Sequence, residues 1–302
     1  MRVVSTLPSA TEICYALGVE PVGVSHECDY PPEATAVRSV NRVTIDPEQD
    51  TAGINDQLDA ADGPVYTIDD AALREADPDL IVTQGICDVC AVDRVLVEEA
   101  VDRVGLDCEI LTTDPHSLAD LFADVERIGA AMDRADRAAD LVADLRARVD
   151  AVRDRAAEAE SRPRLAVLDW LDPVLVAGHW IPEMAEMAGA TYEMTDAGAR
   201  SEPREWDEVV AYDPEVLVLA PCGFGIDQTV ANLAAVTDRP GWSNLTAVQE
   251  GRVFVMDGHH YVNRPGPRLV DTLEYLAALV HPDLFEQPPA EAVRPVAATD
   301  AP

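Results

Sequence analysis

The chain has 302 residues, with 57 Asp and Glu against 22 basic residues, all of them arginine, for a formal net charge of -35. Phosphate contact needs clustered basic groups, so this balance excludes nucleic acid as a partner. Hydrophobic residues make up 48%, ample for two packed domains, and no apolar run is long enough to span a bilayer.

Residues 2–6 enter a strand at once. A secretory signal has a positive start, an apolar core and a small-residue cleavage site, and none is seen here. The expected location is the cytoplasm, or outside the membrane if the chain is a processed form. In the cytoplasm the cysteines are reduced. Ser9-Ala-Thr-Glu12 fits a capping box, followed by an apolar helical face with Ile13, Cys14 and Leu17. A strand over 22–25 delivers the loop His26-Glu-Cys28-Asp-Tyr30, fixed by Pro31 and Pro32. Residues 35–65 read as polar and irregular, with short strands at best. A helix over 69–76 ends at Asp77-Pro78, and a β-branched run over 80–83 marks a buried parallel strand. Gln84 and Gly85 end that strand. Cys87-x-x-Cys90 follows, where an α/β sheet places its ligands. Next come a helix over 94–104 and a strand over 108–112.

From Ser117 to Glu160 apolar residues recur at helical spacing, with a break near 133–136. The second part, 136–160, has i,i+4 charge pairs such as Asp144 and Arg148. It reads either as an ordinary surface helix or as a rigid strut between two halves; its place in the chain favours the strut. Beyond it, strands over 164–168, 174–176, 216–219 and 252–256 alternate with helices over 181–188, 205–211, 229–236 and 268–280. Residues 258–267 form a loop rich in polar and ring-bearing groups. From Glu286 the composition suggests a disordered tail.

Asp213-Pro-Glu-Val-Leu-Val-Leu-Ala-Pro-Cys222 repeats the opening pattern of 77–87: a helix end, Asp-Pro, an apolar strand, a loop with a cysteine. Two copies of one unit imply two similar lobes, each offering a loop to a shared cleft. The predicted fold is α/β, with two Rossmann-like, mostly parallel lobes joined by one long helix. Its parts are an N-terminal lobe over 1–135, the connecting helix 136–160, a C-terminal lobe over 161–285 and the tail 286–302.

Several stretches resemble a known family. They are Arg2-Val-Val-Ser-Thr-Leu-Pro-Ser-Ala-Thr-Glu12, Gly23-Val-Ser25, Asp29-Tyr-Pro-Pro32, Pro78-Asp-Leu-Ile81 and Asn263-Arg-Pro-Gly-Pro267. In this order they resemble the cobalamin and iron-siderophore class of ABC transporter solute-binding proteins, over about residues 1–283. The resemblance implies the class III periplasmic-binding-protein fold, with two lobes, one bridging helix, a cleft and little hinge motion. It implies a monomer that performs no chemistry. The implied ligand is a corrinoid (cobalamin or a precursor) or a related metal chelate, held for uptake or salvage, and the implied partner is an ABC permease. Lobe-tip glutamates dock on permease arginines in that family; this sequence has no clear match to them, and Asp70 and Asp207 fall nearby. His26-x-Cys28, Cys87-x-x-Cys90 and Gly178-His-Trp180 resemble an unsecreted branch of the class. The acidic composition resembles the halophilic adaptation of haloarchaeal proteins, in which carboxylates form a hydrated surface.

Loops that follow strands should line the cleft. A corrinoid is a large ring with amide arms, so it needs flat apolar contacts and a few hydrogen-bonding groups. Tyr30, Trp170, Trp180, Phe224 and Tyr261 can supply the first, Gln84 and Asn263 the second. Pro8, Ser9, His26, His179, Cys222 and Arg264 share those loops. Trp170 and Trp180 also read as core residues near strand ends. His26, Cys28, Cys87 and Cys90 have the spacing of soft ligands for tetrahedral zinc or an iron-sulfur cluster. Their plainer reading, which the lone Cys-x-x-Cys favours, is as separate groups: a cleft histidine, a buried cysteine and a redox-labile dithiol. His26 or His179 is alternatively a ligand to the cobalt of a corrinoid. Cys14 and Cys108 read as small core residues. Gly-x-Ser-x-Gly is absent, and no lysine exists to serve a phosphate loop. The competing function is a cytoplasmic zinc or iron-sulfur redox enzyme built on the same fold.

Overall fold

Short β-branched runs become strands and the longer amphipathic patterns become helices in the computed structural model, which describes residues 1–61, 63–86, 92 and 94–296. The strands are β1 (Val3–Ser5), β2 (Gly23–Val24), β3 (Asn41–Val43), β4 (Tyr66–Ile68), β5 (Leu80–Gln84), β6 (Glu109–Thr113), β7 (Leu165–Leu171), β8 (Val174–Val176), β9 (Glu202–Pro203), β10 (Val216–Leu219), β11 (Val253–Met256) and β12 (Val293–Pro295). One sheet has the order β2-β1-β5-β6 and a second β12-β11-β10-β7-β8-β9; β3 and β4 form a separate pair. The first sheet is parallel throughout. In the second, β7, β10 and β11 are parallel, while β8, β9 and β12 join antiparallel.

The chain divides into two compact units. One comprises residues 1–47, 54–145 and 265–267; the other comprises 48–53, 146–264 and the chain from 268 on. In the first, Val4, Ile81, Leu73, Val97 and Ala100 fill a core between the sheet and its helices. In the second, every residue of β7 and β10 is buried. Strands covered on both faces read as continuous apolar runs, as these do.

The repeat seen in the sequence has one physical basis in both units. Helix Asp70–Ala76 ends with Asp77 at φ 41°, and helix Trp206–Tyr212 ends with Asp213 at φ 48°. Left-handed backbone is uncommon outside glycine, although aspartate tolerates it better than most residues. An arginine just before the central strand closes each turn. Arg2 Nε donates to the carbonyls of Ala76 (2.8 Å) and Asp77 (3.1 Å). Arg164 Nε donates likewise to Tyr212 (3.1 Å) and Asp213 (2.9 Å). Each guanidinium thus satisfies orphan carbonyls at a helix C-terminus and opposes its dipole. The return strand is then docked by Asp79 N to Arg2 O in one unit and Glu215 N to Arg164 O in the other, both at 2.8 Å.

Three local expectations change, and the break expected near 133–136 is met. The first helix is Pro8–Ala16, capped at Leu7 with no side-chain bond, so Ser9 is not an N-cap. Pro8 fixes the first helical φ and starts the helix two residues earlier. A polar helix, Thr51–Ala60, lies in the region read as irregular. The break in the long helical stretch is Asp133 at φ 56°, between Leu118–Ala131 and Ala135–Ala156. The tail beyond Glu286 is not disordered over its described part: β12 pairs with β11, matching Met256 to Val293 and Phe254 to Pro295. Ala292 is fully buried and accepts from Asp257 N at 2.9 Å.

Ending the chain after Gln287 removes this strand together with buried Ala292 and Val293. The expected loss is about 2 kcal/mol, from the apolar area exposed. Urea unfolding checks it, and an unchanged midpoint would show that the tail adds nothing.

Candidate functional site

The sheet of the second unit presents its strand ends as a set of interlocked turns. After β10, Pro221 to Phe224 turns the chain. Phe224 is buried, with its ring 5.3 Å from that of Trp170 on β7. The chain after β11 packs on this turn so closely that a Cβ at Gly258 would lie 2.2 Å from Pro221 O. Only glycine permits that approach. The next residues form a single π-helical turn, Gly258–Val262, of a kind that recurs at functional sites. Its N-cap Asp257 is buried and accepts from His260 N (2.7 Å) through Oδ1 and from His260 Nδ1 (2.7 Å) through Oδ2. His259 Nε2 lies 2.6 Å from Arg264 Nη2. Asn263 Nδ2 donates to the carbonyls of Ala220 and Gly258, both at 3.2 Å. Trp180 Nε1 donates to Val262 O at 2.9 Å, fixing the turn from the side of β8. Tyr261 meets the Tyr275 ring edge-on at 5.4 Å, with the Arg268 guanidinium 5.2 Å from its centroid.

His179 is held by its backbone at φ 52°, donating to Ala199 O (2.5 Å) and accepting from Gly198 N (2.9 Å). Beneath it, Gly178 N donates to Ser201 Oγ, and the Ser201 hydroxyl donates to Asp169 Oδ2. Asp169 is buried, and its other oxygen has no partner among the described residues. Burial pushes this carboxyl up to about 7, with the Ser201 hydrogen bond pulling it part of the way back.

Of the residues singled out in the sequence, the second unit therefore gathers His179, Trp180, Phe224, Tyr261, Asn263 and Arg264 around one pair of turns. Trp170, Trp180 and Phe224 are buried and act as its support. Cys222 is half-buried beside them, its N donating to Asp169 O at 2.9 Å. The sequence reading passed over Asp257, His259 and His260. Their signal was present, since two of only six histidines are adjacent and Asp257-x-x-His260 has helical spacing.

In the first unit, Pro8 and Ser9 are buried in the opening turn of their helix. Gln84 is buried, and its Oε1 accepts from Ile86 N at 2.6 Å. Tyr30 is exposed. His26 N and Nδ1 both face Asn41 Oδ1, at 2.9 and 3.2 Å. Cys28 is buried with Val24 and Ala34, its sulfur 3.0 Å from Thr11 Oγ1. Cys87 and Cys90 lie outside the described residues. Neither His26 nor Cys28 belongs to a group of three ligand-capable side chains among the described residues. Cys14 is buried, and burial pushes its thiol up to about 12, as expected for a core cysteine. Cys108 is half-buried and its thiol is likewise raised. Asp70 is engaged by Arg103 through two hydrogen bonds of 2.8 and 2.7 Å.

The profile of the periplasmic binding protein family matches residues 3–259. YvrC of Bacillus subtilis (strain 168), an uncharacterized ABC transporter substrate-binding lipoprotein, is 24% identical over 293 residues, 95% of this chain and 82% of that one. Over 40 residues, 13% of this chain and 15% of the other, identity to the vitamin B12-binding protein of Salmonella choleraesuis (strain SC-B67) is 48%. Among solved structures, the periplasmic heme-binding protein RhuT from Roseiflexus sp. RS-1 matches with a TM-score of 0.69 at 22% identity, covering 93% of this chain and 98% of that one. The periplasmic vitamin B12-binding protein BtuF of Vibrio cholerae matches with a TM-score of 0.64 at 22% identity, covering 92% and 96%. At these identities the likeness carries the fold, which is the class III periplasmic-binding-protein architecture expected from sequence. The expected cytoplasmic location is overturned, because the matching family is periplasmic and the relatives are a lipoprotein and periplasmic proteins.

Asp169 makes stability depend on pH in a direction opposite to that of a salt-bridged carboxylate. An aspartate in the unfolded chain ionises near 3.9, whereas the folded one holds its proton to about 7. Its contribution is fully present below the unfolded value and is lost as pH rises through the folded one. Between pH 5 and 8 the Asp169→Asn protein should lose less stability than the wild type, by on the order of 2 kcal/mol. Urea unfolding at both pH values checks this; parallel losses would place Asp169 outside the effect.

Proposed function

The chain belongs to the periplasmic binding protein family, and from that premise we propose that it is the solute-binding component of an ABC transport system for a metal chelate held in a flat macrocycle. Family members bind their solutes and do not transform them. The permease of such a system is the proposed partner, and the carried solute is the substrate. A corrinoid is the first choice, given the stretch shared with a vitamin B12-binding protein; heme is the second, given the ligand of RhuT.

The observation that carries this reading is the ring-bearing surface of the second unit. Aromatic residues are 5% of the chain, yet half-buried Tyr261, His179, His259 and His260 lie at the turns after β8 and β11, with buried Trp170, Trp180 and Phe224 as support behind these turns. Flat rings, imidazoles and the Asn263 amide suit a large ring with polar arms. Of the residues that the competing zinc or iron-sulfur enzyme would use, His26 and Cys28 belong to no group of three ligand-capable side chains among the described residues.

Visible-spectrum titration tests the proposal. Purified protein in high salt, where its carboxylates are screened, is titrated with cobalamin, cobinamide and hemin in turn. The expected result is a saturable band shift with at least one of them, ending at one equivalent per chain. No shift with any of the three at saturation would sink it.

A further inference from the structure

Asp169 is the extra residue of a β-bulge. Leu168 pairs with Val176 and Trp170 with Leu175, which leaves Asp169 unopposed on β8. A bulge re-aims its side chain, and this carboxyl is buried, with Oδ1 closed off from solvent and without a donor among the described residues. Residues 196–201 cross the His179 turn as a strap. His179 N donates to Ala199 O, and Gly198 N donates to His179 O. The strap lies so close that a Cβ at Gly178 would come within 2.4 Å of Ala199 O. Ser201 ties it to the sheet: its oxygen accepts from Gly178 N at 3.1 Å, and its hydroxyl donates to Asp169 Oδ2. A neutral carboxyl is at ease here. An ionised one would bury a charge with a donor at one oxygen and none at the other, which is costly. The surrounding groups do not relieve it. Buried Tyr192 gives its hydroxyl to Ala177 O at 2.7 Å, and the Asp169 charge opposes its ionisation. From the β10 turn, Cys222 gives its backbone N to Asp169 O. Asp196, Arg200 and Glu202 are exposed, and Arg204 pairs with Glu202.

We propose that Asp169 and Ser201 form a proton-operated latch on this strap, closed over the His179 turn while the carboxyl is neutral and released when the carboxyl ionises and water reaches Oδ1. On release the carboxyl proton passes to bulk water, and water donors serve both carboxylate oxygens. With the strap open, the carboxyl ionises near the ordinary aspartate value of about 3.9. With it closed, burial holds the proton up to about 7. The ratio of open to closed strap therefore climbs about tenfold per pH unit between these two values and levels off above the upper one. The latch operates whatever the chain carries. Its bearing on the solute rests on the carrier reading: the His179 turn keeps its shape under the closed strap, so a solute that uses this turn is held at acid pH and let go as pH rises.

Amide hydrogen exchange of the full chain in high salt tests the latch, with each rate corrected for base catalysis. Between pH 5 and 8 the protection of the Gly178, His179 and Gly198 amides should fall by about 100-fold, while that of the β5 amides in the first unit stays level. Asp169→Asn keeps an acceptor for Ser201 and cannot ionise, so its strap protection should not change with pH. Ser201→Ala should show low strap protection already at pH 5, and Ser201→Thr should restore it. Strap protection that stays level in the wild type, that falls equally in Asp169→Asn, or that falls in step with β5 overturns the latch. The comparison of strap with β5 in the wild type decides the matter even if a variant does not fold. Cobinamide and hemin affinities are measured at the same pH values and should fall with the closed fraction. Constant affinity while the strap opens overturns the link to the solute and leaves the latch. Absence of binding to either probe at every pH overturns the carrier reading, and the latch then stands or falls on exchange alone.

Discussion

Each unit depends on one arginine placed just before its central strand. Arg2 and Arg164 reach the last carbonyls of the helices that end at Asp77 and Asp213, and their own carbonyls accept from the returning strand. The contact satisfies backbone groups that a helix end would otherwise expose. It also sets where β5 begins beside β1 and where β10 begins beside β7. That register decides where each strand ends, and so where its following turn projects. The functional turns are thus positioned from the far end of the sheet.

In the second unit this has a direct result. With β7, β10 and β11 in parallel register, the turns after them meet. The β10 turn offers carbonyls that Asn263 and the Gly258 backbone pack against, and Ala292, just before β12, holds Asp257 N from the other side. The histidine pair therefore sits on a rigid base, although its own turn is short.

Signals that are local in the chain were legible. The Asp-Pro strands, the helices 94–104 and 268–280, and the break near Asp133 all fall within a residue or two of the observed elements. Ser9 was misjudged because a capping-box pattern competes with Pro8, whose fixed φ begins the helix first. Helix Thr51–Ala60 has few apolar residues, and its first N–H is satisfied by distant Asn232. The strand at 293–295 is equally non-local, since its composition is poor and its partner lies about 40 residues earlier. His260 was missed for a related reason. Its link to Asp257 requires a helical turn in a stretch whose Gly, Asn and Pro read as loop, and that turn exists because Gly258 can press against Pro221. Trp170 and Trp180 read both as cleft and as core residues, since sequence alone does not distinguish a wall from what stands behind it; both are buried. The location was inferred from what the chain's first residues lack, which carries no information about destination.

The late strand β12 also has a bearing on colloidal behaviour. Without it β11 would be an edge strand bearing Val253, Phe254, Val255 and Met256, an apolar run with open N–H and C=O groups. Such an edge invites pairing with another molecule. The antiparallel cover closes it and places Arg294 and Pro295 at the new boundary, a charge and a residue with no N–H to donate. Self-association by sheet extension is therefore blocked locally as well as opposed by the net charge of -35, and the local block remains when salt screens that charge.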